Sequence, residues 1–130
     1  MRTLEDWKIK IAVLWIVLEC GMFAVPLVEQ HIPGYMDEVI PQTTPEAMIL
    51  IAIIAMVVPT MAFLSLTLKD SINRWLNILV SIFFIVTMPI SIIDFPTDYL
   101  PSIIIIAIVE VVALVLIIWY AWKSKQKTQK

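Results

Sequence analysis

The chain has 130 residues, 61% of them hydrophobic and only 15% charged, with a net charge of −2. Soluble domains carry about 45–50% apolar and 25% charged residues, and a chain this short keeps too much surface to hide the excess in one core. Soluble enzymes, nucleic-acid binders and disordered tails are excluded, and a membrane protein is implied.

Crossing about 30 Å of hydrocarbon takes roughly 20 apolar residues. Four runs qualify, and each must be helical because lipid leaves no partner for an unpaired backbone group. The first covers 11–28, with Glu19 as its only charge. It is too long for a signal-peptide core, follows the acids Glu5 and Asp6, and lacks a small-residue cleavage site. The bulky Leu18-Glu19 before Cys20 also argues against a lipidated cysteine, so this run is expected to stay.

A loop over 29–46 follows, in which Pro33-Gly34 predicts a turn and residues 36–40 suit an interface. Glu29, His31, Asp37 and Glu38 carry metal-capable atoms but read as solvated side chains, and no metal site is expected. Thr43-Thr44-Pro45-Glu46 fits a capping box with proline in the first turn and opens the second run, 47–68. Pro59 is expected to kink it, and Thr60 and Thr67 share one face. The third run, 76–93, contains Pro89. Asn73, Asn77, Ser81, Thr87 and Ser91 fall within about 120° of arc along it, a polar stripe suited to helix packing. Asp98 through Pro101 can open the fourth run, 102–122, which encloses Glu110. A basic tail, 123–130, ends the chain and suits anionic lipid head groups or simple anchoring.

The expected fold is therefore all-α: a single membrane domain, 1–130, forming a four-transmembrane-helix bundle. All nine basic residues (Arg2, Lys8, Lys10, Lys69, Arg74, Lys123, Lys125, Lys127 and Lys130) fall on the side of the termini. The other side carries Glu29, Asp37, Glu38, Glu46, Asp94 and Asp98 and no lysine or arginine. The positive-inside rule then makes both termini cytoplasmic. Trp7, Trp75, Trp119, Tyr120 and Trp122 are expected in the inner aromatic belt, and Tyr35 and Tyr99 in the outer one.

Chemistry is sought first at Glu19 and Glu110, because acids at mid-membrane depth are costly and mark functional sites by default. Counted from Lys8 and Lys123, both fall ~16–20 Å from the cytoplasmic edge, so the two carboxylates can meet. On the fourth helix Ala107, Ala113, Leu114 and Ala121 lie within about 60° of Glu110, while Ile104, Ile105, Ile108 and Val112 lie opposite. That puts Glu110 on the packing face. Trp15, one turn before Glu19, can donate its indole N–H to that carboxylate. With no base in any span, Glu19 and Glu110 are candidates for a proton or cation site, supported by Trp15, Asn77, Ser81 and Thr60. The competing reading makes them interhelical hydrogen-bond links.

Several segments carry a resemblance. They are Leu4-Glu5-Asp6-Trp7-Lys8-Ile9-Lys10, Ala12-Val13-Leu14-Trp15, Ile32-Pro33-Gly34, Val58-Pro59-Thr60 with Leu64-Ser65-Leu66, Asn73-Arg74-Trp75-Leu76-Asn77-Ile78, Val109-Glu110-Val111 and Ile118-Trp119-Tyr120-Ala121-Trp122. Together the chain resembles a functionally uncharacterised family of small four-helix integral membrane proteins of bacteria and archaea. The resemblance implies four spans and a prokaryotic plasma membrane, and brings no activity with it. Small multidrug-resistance transporters share only the architecture, for their helices are glycine-rich.

Three function classes follow. The first is a non-enzymatic accessory, assembly or lipid-interacting bundle, with membrane lipids as partners, a homo-oligomer as an option and no nucleic acid. The second is a proton-coupled small transporter of cationic or lipophilic compounds using Glu19 and Glu110. A membrane enzyme ranks last, since the spans hold no nucleophile–base pair. No cofactor is expected.

Overall fold

A computed structural model describes residues 6–93 and 96–128, with the backbone alone at Ser91 and 125–128. Arg2, Glu5, Asp94 and Lys130, and the side chains of Ser91, Lys125 and Lys127, lie outside the described residues. Among the described residues there are five α-helices: α1 (Asp6–Gln30), the short α2 (Tyr35–Val39), α3 (Pro45–Thr67), α4 (Asp70–Ile92) and α5 (Leu100–Thr128). The described chain is all-helical, and α1, α3, α4 and α5 are each long and apolar enough to cross a membrane.

The helices overrun the apolar stretches. α4 begins at Asp70, six residues before the expected span, and α5 continues past Trp122 into the lysine-rich tail. Nothing in hydropathy marks these ends, because polar Asn, Lys and Gln sit comfortably in a helix once outside the apolar region. The start of α3 also shifts. Thr44, not Thr43, is the N-cap, accepting from Ala47 N at 3.1 Å with Pro45 in the first turn. Thr43 Oγ1 instead donates back to Val39 O at 3.0 Å. Glu46 therefore sits one position short of a reciprocal capping box. Gly34 takes φ +77° at the predicted Pro33-Gly34 turn, a left-handed conformation that disfavours any Cβ.

Packing follows chain order except at one step. α1 is the hub: it packs along both α3 and α5, and α5 in turn packs along α4. α3 and α4, joined by a tight turn, scarcely touch beyond it. Trp15, Ile11 and Leu18 of α1 meet Val58 and Met61 of α3 and Leu114, Ile117 and Ala121 of α5 in the core. Across the bundle, Trp15 stacks edge-on against Phe84 of α4, with centroids 6.2 Å apart. Trp7 is buried in this core at 6% exposure, whereas Trp75, Trp119 and Trp122 are half exposed. Outward faces are strongly apolar: Ile49, Ile53, Met56 and Phe63 on α3, and Ile105, Ile108 and Val112 on α5. A patch of that size on a helical bundle is compatible with lipid as its solvent.

At the end that holds the termini, Lys8 Nζ lies 2.7 Å from Asp70 Oδ1. Lys8, Lys10 and Lys123 sit over the rings of Trp7, Tyr120 and Trp119 at 5.5, 5.4 and 5.9 Å. These contacts pin the helix ends while leaving the ammonium heads near the surface.

Candidate functional site

Two polar features occupy the bundle, one above the other. Nearer the terminal end is a closed hydrogen-bond network. Asn77 Oδ1 accepts from Trp15 Nε1 at 2.6 Å and from Ser65 Oγ at 3.1 Å. Asn77 Nδ2 donates to Asn73 O at 2.8 Å and also to Asn73 Oδ1. Asn73 Nδ2 donates to Ser65 O at 2.7 Å, and Ser65 Oγ reaches Met61 O at 2.7 Å. Trp15, Ser65, Asn73 and Asn77 are all buried, so each bond replaces water that is absent. The network ties α1, α3 and α4 together where α3 and α4 come closest.

This corrects the sequence expectation for Trp15. Its indole donates to Asn77 on α4, not to Glu19 on its own helix. Thr60 is exposed, it does not line the cavity described below, and its hydroxyl donates to Met56 O of its own helix at 2.7 Å. Thr67 does the same towards Phe63 O. Ser81, one turn beyond Asn77, is buried, and its Oγ has no hydrogen-bond partner among the described residues. Ser65, which sequence reasoning passed over, completes the network because it faces the turn that returns α4 alongside α3.

The second feature is a cavity of about 460 Å³ in the half of the bundle nearer the α1–α3 connection. All four long helices line it, with Met22 and Pro26 from α1, Ile54 from α3, Phe84 and Met88 from α4 and Ala107 from α5. Among the described residues Glu110 and Glu29 are its acids, Thr87 its hydroxyl, and no lysine, arginine or histidine lines it. Thr87 is occupied with its own helix, donating to Phe83 O and Phe84 O.

Glu110 is buried at 8% exposure, on the same face as Ala107, Ala113, Leu114 and Ala121. It has no hydrogen-bond partner among the described residues. Its side chain lies directly on Gly21 of α1: a Cβ built there would sit 2.7 Å from Glu110 Cγ and 3.1 Å from Cδ. Gly21 is thus the seat that lets a carboxyl fit between α1 and α5. Glu19 stands two residues from Gly21, hence about 160° around the helix, and does not line the cavity. Its Oε2 is buried without a hydrogen-bond partner among the described residues. Equal depth does not bring the two carboxylates into one hydrogen-bonded pair, because depth fixes height and not azimuth.

Glu29 was legible only as a loop acid. In the structure α1 runs to Gln30, and Met22, Val25, Pro26 and Glu29 follow the i, i+3, i+4, i+7 spacing of one helix face. That spacing was the available signal. The Tyr35 hydroxyl of α2 hydrogen-bonds Glu29; burial first, then the Glu29 charge and this bond, raise the Tyr35 phenol above its ordinary value. His31 Nδ1 lies 2.7 Å from Leu27 O. Among the described residues no three His, Cys, Asp or Glu side chains converge as a metal-holding group.

Fold and site together define a class: a four-helix bundle, apolar on its outer faces, with a polar clasp at one level and an acid-bearing cavity at the next. Comparison with protein-family models, curated proteins and solved structures found no match to this chain.

Proposed function

We propose that this is a non-enzymatic integral membrane bundle that holds a lipidic molecule in the cavity above the Trp15–Asn77 network. The single observation that carries this reading is the cavity itself. Its volume falls within the 300–1,000 Å³ span of small-molecule sites, and its walls are mostly apolar with a few polar groups. Access is lateral. A further groove along α3 and α4 shares Ile54, Phe83 and Phe84 with the cavity, and a third shares Val57 and Val80 with that groove. A molecule dissolved in the bilayer meets an apolar seam, whereas the clasp of Trp15, Ser65, Asn73 and Asn77 blocks the terminal end.

The setting is a prokaryotic plasma membrane with both termini cytoplasmic, supported by the nine-to-none distribution of basic residues and by the family the chain resembles. One copy completes the cavity, so a homo-oligomer is not required for binding. The position of Glu110 on the cavity wall also favours a second reading, a proton-coupled transporter of cationic or lipophilic compounds. That reading needs Glu19 as well, and Glu19 faces elsewhere.

Purification in mild detergent followed by native mass spectrometry tests the binding reading. Wild type is expected to retain one lipidic adduct per chain, and Ala107→Phe, which fills the cavity, to lose it. Equal retention by both proteins overturns the reading. Proton-driven flux in liposomes that disappears in both Glu19→Gln and Glu110→Gln would replace it with the transporter.

A further inference from the structure

Resting on the ligand-holding reading above, we infer that the occupant is a lipophilic primary amine, its nitrogen on the Glu110 carboxyl and its alkyl chain along the α3–α4 seam. Charge complementarity carries the inference. Among the described residues the cavity is lined by two acids, no basic residue and an otherwise apolar wall with one hydroxyl, Thr87, already turned to its own backbone. Glu110 is more than nine-tenths buried, borders this space and has no hydrogen-bond partner among the described residues. A buried carboxyl left without partners is costly, and the partner that removes most of that cost is a cation with N–H donors.

A primary amine offers three donors once protonated and forms a neutral pair with the carboxylate. The same pair arises when a neutral amine meets the protonated acid, since one proton moves from oxygen to nitrogen and no bare charge crosses the apolar seam. Glu29, seven residues beyond Met22 on the same face, adds negative potential at the far wall. Glu110 is seated on Gly21, so its carboxyl cannot withdraw into α1. An alkyl chain leaving this point has apolar contacts along Ile54, Val57, Val80 and Phe83.

The test uses the full chain in zwitterionic-lipid nanodiscs, with tritiated dodecylamine as the probe and empty nanodiscs as background. Saturable binding of one dodecylamine per chain is expected, displaced by unlabelled dodecylamine and not by dodecan-1-ol. Glu110→Gln should weaken binding by about tenfold or more, while Glu19→Gln leaves it unchanged. Displacement by the alcohol as effective as by the amine overturns the amine assignment and leaves the lipidic site standing. It does so on wild type, whether or not the Gln variant folds. Absence of saturable binding by either probe, with Ala107→Phe indistinguishable from wild type, removes both the assignment and the ligand-holding reading.

Discussion

At the level of single residues, two positions have consequences out of proportion to their size. Gly21 lacks a Cβ where one would meet Glu110 Cγ at 2.7 Å. Gly21→Ala gains about 1 kcal/mol in helix propensity but forces the Glu110 side chain or α5 to move, an overpacking cost of about 1–3 kcal/mol. Net destabilisation is expected in reversible unfolding from mixed micelles, and pairing it with Glu110→Ala should restore the loss, because the clash is then gone. Trp15 and Asn77 form the other pair. A double-mutant cycle of Trp15→Phe and Asn77→Leu should report a coupling of about 1 kcal/mol, the range of interhelical hydrogen bonds in membranes. Thr60→Val, by contrast, removes only a bond to its own helix on an exposed face. A change within about 0.5 kcal/mol is expected in the same assay.

At the level of helices, the four apolar runs were evident because lipid solvation imposes a length and a composition that few other structures need. Their ends were less evident: α4 begins at Asp70 and α5 reaches Thr128, since hydropathy reports the apolar slab and not the hydrogen-bonded helix. Helical phase was legible where small and bulky residues segregate. The alanine face of α5 is buried with Glu110, and its isoleucine face is exposed. On α3 both faces are almost equally apolar, and phase gave no guide to its neighbour. The polar stripe of α4 indicated which side turns inward, and Asn73, Asn77 and Ser81 are indeed buried. The Lys8–Asp70 pair joins α1 to α4 at the surface, with Asp70 over one-third exposed. Lys8→Ala should therefore cost no more than about 1 kcal/mol, with the effect falling as salt rises.

For the molecule as a whole, the decisive feature is that the α1–α5 contact, not the consecutive α3 and α4, joins the α1–α3 and α4–α5 pairs. That arrangement leaves α3 and α4 apart above their turn and so creates the seam and the cavity. Topology is open to direct measurement. Reporters fused after Lys130 and inserted near His31 are expected to read cytoplasmic and external, respectively. A C-terminal reporter on the external side would overturn the orientation drawn from the basic residues.

Composition, run length and the one-sided distribution of Lys and Arg were enough to establish a four-helix, membrane-suited architecture, because the cost of unpaired backbone and charge in hydrocarbon leaves few alternatives. They also drew attention to Glu19 and Glu110, the two acids within the apolar runs. Tertiary structure alone decided the partners: Trp15 with Asn77, Glu110 with Gly21, and Glu29 with Tyr35. Each of these depends on the azimuth of one helix about another. Azimuth is set by how neighbouring side chains interlock across the bundle, and no local property of one helix encodes it.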